Sequence, residues 1–409
     1  MLNRIWAGFF LVAFLAGLYQ WLALGNPGVW AAMVGATFDM AKTGFEISLG
    51  LTGVMCLWLG VMRVGEKGGA VEALARAFDP LLRRLFPGIP PGHPASAAIM
   101  MNMSANMLGL DNAATPLGLK AMKELQQLNP SPDTASDDQI LFLVLNASAV
   151  TIIPTAIMTY RAQLGAADPT DVFLPLLIAT FCSTTVGLLV TAAVQRLKLT
   201  HPVTLAYLGG ITLVIGALVA YCAGLDKDSL ERQTSLFANL MIFSLIVSFL
   251  LLALRRGVAS YETFVEGAKE GFQVAVGIIP YLVAMLVAIG VLRACGVLDM
   301  VLGSVRWGVS GLGLDTRWVD ALPVALMRPF SGSGSRGLVI ETMKTFGADS
   351  FAGRLACVIQ GSTETTFYGL AVYFGSVGVK NTRHAIACGL TAELAGFVGA
   401  VAVSYLFWG

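Results

Sequence analysis

Two segments of this chain place polar side chains among glycine and proline inside an otherwise apolar sequence. They cover residues 93–118 and 328–337. Their candidate binding residues are Asn102, Ser104, Asn106, Asp111 and Asn112 in the first segment and Ser331, Ser333, Ser335 and Arg336 in the second. Amide, hydroxyl, carboxyl and guanidinium groups offer several hydrogen bonds to a small polar or anionic molecule. The chemistry that these residue types predict is therefore solute binding.

Each segment is followed by an apolar stretch with a second group of polar residues. These are Asn146 in the first half of the chain and Gln360, Ser362 and Glu364 in the second. An ionisable side chain within a membrane span is costly, so a functional role is the default hypothesis for Glu364, and we expect coupling to a proton or a cation. Its expected partner is Arg336 or the backbone amides of the preceding segment. In the alternative interpretation these polar groups only hold the helices together.

Other chemistries have little support in the sequence. Gly332, Gly334 and Gly337 have the spacing of a dinucleotide-binding turn, but no alternation of strands and helices surrounds them. The six cysteines have no C-x-x-C spacing, and no Ser/His or paired Asp arrangement suggests a hydrolase. Lysine and arginine form no stripe that would bind nucleic acid. We therefore expect neither an enzyme nor a cofactor, apart from a coupling proton or cation.

The composition indicates which elements must position these residues. The chain has 409 residues, of which 56% are hydrophobic and only 12% charged, which is outside the usual range of soluble domains. Apolar stretches of spanning length make about nine transmembrane helices. They lie at residues 5–24, 47–62, 140–160, 172–194, 203–222, 237–254, 274–292, 355–374 and 385–408. Residues 226–232 are predicted to form an exposed loop.

The two polar segments are too broken to face lipid as continuous helices. Irregular backbone at membrane depth is tolerated only where protein or water encloses it. Two re-entrant hairpins are therefore predicted, with the amino ends of their half-helices directed at the ligand. In the second hairpin we expect irregular backbone up to Gly337 and a short helix over residues 338–346.

The two halves of the chain contain similar motifs. Ala41-Lys42-x-Gly44-Phe45 recurs as Ala268-Lys269-x-Gly271-Phe272, and the same offset pairs Gly69 with Gly296. The distribution of basic loops places the N-terminus in the cytoplasm and the C-terminus outside, so the halves enter the membrane from opposite sides. Inverted repeats of this kind are typical of secondary transporters that bind their substrate near the midplane.

One region conflicts with this orientation. Residues 293–344 are predicted to be external, yet they contain six basic residues. The rule is satisfied only if several of these are buried or paired with the nearby acidic residues, which are Asp299, Asp315, Asp320 and Glu341.

The predicted fold is thus an all-α polytopic membrane protein with two re-entrant hairpins in two inverted repeats. Residues 1–24 form an N-terminal transmembrane helix, and residues 25–200 the first repeat. Two linking transmembrane helices occupy residues 201–256, and the second repeat covers residues 257–409.

Longer motifs resemble known families. The segment from Gly92-His93-Pro94 to Gly109-Leu110-Asp111-Asn112-Ala113-Ala114-Thr115-Pro116-Leu117-Gly118 resembles the spore maturation protein A family. The motifs Arg328-Pro329-Phe330-Ser331-Gly332-Ser333-Gly334 and Gln360-Gly361-Ser362-Thr363-Glu364-Thr365-Thr366-Phe367-Tyr368 resemble the spore maturation protein B family. Both families belong to the nucleoside recognition, or gate-domain, group, which includes concentrative nucleoside transporters. The resemblance implies a fusion of two gate domains and leaves the solute undefined. A related sporulation protein is associated with dipicolinate passage, and this implies an anionic aromatic acid as one candidate solute.

We expect an inner-membrane transporter or permeation pathway for a small polar or anionic solute, either nucleoside-like or an aromatic acid. The alternative is a non-transporting membrane scaffold or regulator of cell-envelope or spore maturation processes. The expected partners are the lipid bilayer and the solute, with no nucleic acid. A homodimer is compatible with this arrangement but is not required, because two inverted halves already supply a pathway. The expected location is the bacterial inner membrane.

Overall fold

The computed structural model describes residues 2–148 and 151–409, without the side chains of Leu2 and of residues 111–113. The side chains of two candidate binding residues, Asp111 and Asn112, therefore lie outside the described part. The described residues form α-helices, a 3₁₀ turn and a π-helical turn, with no β-strand among them. The all-α prediction is confirmed.

The helices of the first part of the chain are α1 (Leu2–Leu24), α2 (Gly28–Gly68), α3 (Ala70–Leu85), α4 (Pro94–Met107), α5 (Asp111–Gln127), α6 (Asp137–Ala147), α7 (Thr155–Gln163), α8 (Phe173–Gln195) and α9 (Pro202–Ala223). Those that follow are α10 (Lys227–Arg255), α11 (Ser260–Ala294), α12 (Val297–Gly311), α13 (Leu322–Met327), α14 (Gly332–Phe346), α15 (Phe351–Ser362), α16 (Thr366–Gly369) and α17 (Ala385–Trp408). A 3₁₀ turn, Arg317–Ala321, precedes α13, and the π-helical turn Leu370–Phe374 continues α16.

Seven of these helices are long and apolar enough to cross a membrane, namely α1, α2, α8, α9, α10, α11 and α17. The other two predicted spans, 140–160 and 355–374, are interrupted helices. Pro154 directly precedes α7, where its missing N–H and its ring prevent a continuous helix. In the second half, Thr363 has an extended backbone (φ −142°, ψ 165°) between α15 and α16. Both interruptions lie among the polar residues that the sequence singles out.

One order of elements occurs twice along the chain. A long helix (α2 or α11) leads to an amphipathic helix (α3 or α12), a helical hairpin, an interrupted helix and a closing helix (α8 or α17). The long and amphipathic helices are separated in both halves by a left-handed glycine, Gly69 (φ +89°) or Gly296 (φ +72°). A residue with a side chain rarely adopts this conformation, so glycine favours the sharp change of direction at both positions.

The equivalent helices α2 and α11 pack against each other in antiparallel directions. Gly44 of α2 contacts Val283 of α11, and Gly60, further along α2, contacts Gly267, which lies earlier in α11. The two helices therefore run in opposite directions. A Cβ atom on Gly267 would lie 2.5 Å from the carbonyl oxygen of Leu59. Small residues thus bring the two backbones into close contact, as is common between membrane helices. The helices α8 and α17 also pack in antiparallel directions.

Two local predictions are wrong. The second hairpin is already helical from Gly332, because the Ser331 hydroxyl accepts a hydrogen bond from the Gly334 amide at 2.9 Å and caps α14. The predicted loop at 226–232 is mostly helix, because the Asp226 carboxylate caps α10 by accepting the Ser229 amide at 3.0 Å.

The four acidic residues near the basic segment 293–344 all form ion pairs with arginines of that segment. The pairs are Arg293 with Glu341 (2.7 Å) and Asp299 (3.6 Å), Arg317 with Asp315 (2.9 Å), and Arg306 with Asp320.

Candidate functional site

The two interrupted helices, α6–α7 and α15–α16, contact each other at their interruptions. The backbone N–H of Glu364, between α15 and α16, donates to the carbonyl oxygen of Ala147 at the end of α6, at 2.7 Å. Next to this point the side chains of Ser148 and Ser362 are fully buried. Each serine hydroxyl donates to the carbonyl three residues earlier in its own helix, at 3.0 and 3.1 Å respectively. The two interruptions are therefore built alike and are in direct contact.

Each interruption is also bonded to the hairpin of its own half. In the first half the N–H of Ile152 donates to the carbonyl of Met107 at 2.8 Å, and in the second the N–H of Phe367 donates to that of Pro329 at 3.1 Å. Open backbone groups of the breaks thus find partners in the turns of the hairpins, which satisfies the requirement for hydrogen bonding at membrane depth. Four irregular segments, two from each half, meet at one place.

A small cleft of about 50 Å³ lies at this junction. Its first-half wall consists of Gly109 and of residues between Thr151 and Tyr160, and its second-half wall includes Arg328, Arg336, Gln360 and Glu364. Because one water molecule needs about 10–15 Å³ of such space, the cleft holds a few waters. An organic solute requires it to widen.

Among the described residues, the charged groups that line the cleft come from the second half. Arg328 is buried, and its Nε donates to the carbonyl of Thr363 at 2.9 Å. Its Nη2 also pairs with the Glu364 carboxylate at 3.3 Å, and that carboxylate is 47% exposed. With Arg336 the lining contains two guanidinium groups and one carboxylate. Guanidinium groups bind an anionic group with charge-assisted hydrogen bonds.

The serines of the second hairpin mainly hold it in position. The hydroxyl of Ser335 donates to Oε1 of Gln360 at 2.5 Å and joins α14 to α15. Ser331 caps α14, and its hydroxyl lies 3.3 Å from that of Ser333. Of the predicted site residues in the second half, Arg336, Gln360 and Glu364 line the cleft.

Asn102 and Asn106 of the first hairpin lie outside the lining of this cleft. Asn102 Nδ2 donates to the carbonyl of Ala114 at 2.8 Å, and Asn106 Nδ2 donates to Oδ1 of Asn146 at 2.9 Å. Ser104 is buried beside them. These bonds join α4 to α5 and α6, so they hold the first hairpin against its own interrupted helix.

The cleft lies within segments that match a known family. Residues 48–166 and 275–380 match the family described as Gate, nucleoside recognition. These two stretches make up more than half of the chain. The chain belongs to the Gate nucleoside recognition family.

Two curated proteins of Bacillus subtilis (strain 168) are similar to this Gate protein. Spore maturation protein B is 44% identical over 169 residues, which cover 41% of this chain and 93% of the relative. Spore maturation protein A is 40% identical over 171 residues, which cover 40% of this chain and 87% of the relative. The resemblance to both families is confirmed.

Several residues of the Gate cleft are absent from the predicted site. Arg328 carries the same signal as Glu364, a charged residue beside glycine and proline in an apolar chain, and could have been found by it. Tyr160 and the backbone of residues 153–157 carry no such signal, because their position depends on how the first interruption folds. Among the described residues no group of three or more His, Cys, Asp or Glu side chains could hold a metal ion.

Loops of the two halves also contact each other on either side of the Gate junction. Arg161 follows Tyr160 and donates to the carbonyl of Ala348 at 2.6 Å, with its Nη2 3.0 Å from Asp349. Arg383 makes similar contacts, with the carbonyl of Ala135 at 3.0 Å and with Asp137 at 2.8 Å. In both places an arginine of one half binds a carbonyl oxygen and a carboxylate of the other.

Proposed function

We propose that this protein is an inner-membrane transporter or permeation pathway for a small polar or anionic solute, nucleoside-like or an aromatic acid. The observation that carries the proposal is the cleft at which the interruptions of both halves meet. A junction of broken helices in the membrane offers open backbone groups to a solute in addition to side chains, whereas the backbone groups of a continuous helix are bonded within the helix.

The proposal includes an inverted relation between the two Gate stretches. Its support is the repeated order of elements and the antiparallel packing of α2 with α11. The two helical hairpins are then re-entrant, and the N-terminus is cytoplasmic with the C-terminus outside. In this arrangement a single chain contains a pathway with the solute site near the midplane.

We assign solute contact to Arg336, Gln360 and Glu364, with Arg328 as the cation that positions Glu364. A carboxylate or a phosphate binds to guanidinium groups through paired hydrogen bonds, whereas Gln360 can bind a neutral polar edge. The predicted binding residues Asn102, Ser104, Asn106, Ser331, Ser333 and Ser335 are assigned to the frame around the cleft.

The test is a ligand screen followed by a flux assay on the purified protein. Thermal unfolding in detergent is measured with nucleosides, nucleobases, dipicolinate and related acids. A ligand at 100 times its Kd stabilises the protein by about 2.7 kcal/mol. We expect this stabilisation, and uptake of the same compound into proteoliposomes, to be lost in Glu364→Gln. The control is Glu231→Gln, at an exposed position outside the cleft.

A second function is favoured by a different observation. Asn102 is bonded to the backbone of α5 and Asn106 to Asn146 of α6, as expected if polar groups serve only packing. A scaffold or regulator of cell-envelope or spore maturation processes would then explain the chain. Absence of both ligand stabilisation and flux in the wild-type protein would contradict transport and support this second function.

A further inference from the structure

Glu393 is the only charged residue in α17. It lies within a helix that is apolar enough to span the membrane, and its residue exposure is only 6%. Removing a carboxylate from water is strongly unfavourable unless a cation or a proton compensates the charge. Among the described residues Glu393 has no ion-pair partner within 4.0 Å. An ionised Glu393 would therefore be a buried carboxylate whose charge no cation among the described residues compensates by an ion pair.

Only half of the Glu393 carboxyl group is hydrogen-bonded. Its Oε1 accepts the backbone N–H of Thr366 at 2.8 Å, while its Oε2 is buried and has no hydrogen-bond partner. The hydroxyls of Thr365 and Thr366 are buried in the same interruption, also without a well-directed hydrogen bond. Thr366 lies directly beside the carboxyl group. Oε2 of Glu393 is thus a buried acceptor without a well-directed hydrogen bond, and an unsatisfied acceptor is most costly when it carries charge.

Glycines of α17 bring the interruption close to this carboxyl group. A Cβ atom on Gly389 would lie 2.7 Å from Cγ2 of Thr366, and one on Gly396 would lie 2.4 Å from Cγ2 of Thr363. These glycines lie about one helical turn before and after Glu393. The extended segment between α15 and α16 therefore lies across α17, with the carboxyl group between the two close approaches.

We propose that Glu393 is the proton-binding group of this protein, with the adjacent Thr366 hydroxyl as part of the environment of the bound proton. A proton on Oε2 removes the uncompensated charge and turns an orphan acceptor into a donor. It needs no additional ligands, in contrast to a metal ion. The inference deepens the proposed function and rests on it for the role of the proton in transport.

The contacts of Thr366 connect this proton to the solute cleft. Its amide, which bonds to Glu393, is the first of α16 and lies two residues after Glu364. The charged groups that act on Glu393 are Arg328 and Glu364, the same pair that lines the cleft, while α8 presents the neutral Ser183 to the preceding residue. Loss of the proton makes Glu393 compete with Glu364 for Arg328. Binding of an anion to Arg328 and release of the proton from Glu393 therefore both act on the ion pair between Arg328 and Glu364.

The proton is tested directly by infrared spectroscopy of the purified protein in detergent during a pH titration. A protonated carboxyl group has a C=O stretch that is separate from the bands of carboxylates. We expect a buried carboxyl band that is absent from Glu393→Gln, which keeps the acceptor for Thr366. The matched control is Glu341→Gln, because Glu341 is equally buried but has an ion pair with Arg293 at 2.7 Å. A band that persists in Glu393→Gln would overturn the assignment.

A flux measurement separates this inference from the proposed function. Proteoliposomes are loaded with a pH-sensitive dye, and uptake of the nucleosides and aromatic acids from the screen is recorded with and without a pH gradient. We expect Glu393→Gln to retain exchange of the compound and to lose acceleration by the gradient. Gradient-driven uptake that is unchanged in Glu393→Gln would refute coupling through this residue. Absence of any uptake in the wild type, with the infrared band present, would contradict only the transport function.

Discussion

Replacing Arg161 by methionine tests whether the contact between the halves is a major source of stability. Arg161 is fully buried, and its guanidinium binds Asp171 at 2.8 Å and Asp349 at 3.0 Å. The comparable contact of Arg383 with Asp137 is 39% and 49% exposed on its two sides. The two positions therefore have similar chemistry and very different access to water.

The expected magnitudes follow from this difference in burial. Burial raises the pKa of Asp171, and the charges of Arg161 and Arg354 oppose this rise. Removing Arg161 leaves Asp171 inside the protein with one compensating charge fewer, and breaking a buried pair in this way costs about 3–5 kcal/mol. An exposed ion pair contributes at most about 1 kcal/mol, so Arg383→Met is expected to be nearly neutral.

The assay is equilibrium or thermal unfolding of the wild type, Arg161→Met and Arg383→Met in the same detergent. The double variant Arg161→Met/Asp171→Asn removes the buried charge as well and should recover part of the lost stability. Equal losses for Arg161→Met and Arg383→Met would refute the argument from burial. A double variant that is less stable than Arg161→Met alone would show that the cost does not come from the carboxylate.

Two further outcomes can be checked in the same apparatus. Burial, and to a smaller extent the charge of the neighbouring Asp137, raises the pKa of Asp138 from 3.8 to about 6. The protonated form therefore stabilises the fold at low pH, and this stabilisation is lost as the pH rises to about 6. Asp138→Asn should remove the corresponding decline in melting temperature, and an unchanged pH profile of the variant would contradict this assignment. In α11, a Cβ atom at Gly271 would lie 2.7 Å from Cα of Cys56, whereas Gly277 has no atom within 4 Å. Gly271→Ala should therefore cost about 1–3 kcal/mol, and Gly277→Ala should be neutral or stabilising by up to about 1 kcal/mol; equal effects would contradict the close packing of α2 and α11.

Hydropathy predicted the membrane class and all seven long apolar helices, because the cost of placing polar groups in lipid is read directly from composition. It could not predict where a long apolar stretch is broken. Residues 140–160 and 355–374 are apolar enough on average to be taken for spans, yet Pro154 and the extended backbone at Thr363 interrupt them. The break in the second half is stabilised by the bond from Thr366 to Glu393, which joins residues distant in the sequence.

Residue types predicted the two polar hairpins but not which of their side chains reach the cleft. Asn106 and Ser335 both follow the expected pattern, and each is bonded to the helix that faces its hairpin. Whether a polar group binds a solute or a neighbouring helix depends on its distance from that helix, and the sequence does not contain this distance. Arg336 and Glu364 were identifiable because a charge at membrane depth has few structural uses.

The asymmetry of the two halves follows from the length of their polar side chains. In the first half, the amides of Asn106 and Asn146 bond to each other and close that side of the junction. In the second half, the short Ser335 holds Gln360, and the longer side chains of Arg328 and Glu364 extend along the wall of the cleft. Among the described residues, the first half therefore contributes mainly backbone and Tyr160 to the lining, and the second half contributes the charged side chains. Because Glu364 lies between α15 and α16, the position of this segment determines the position of one charged group in the wall of the cleft.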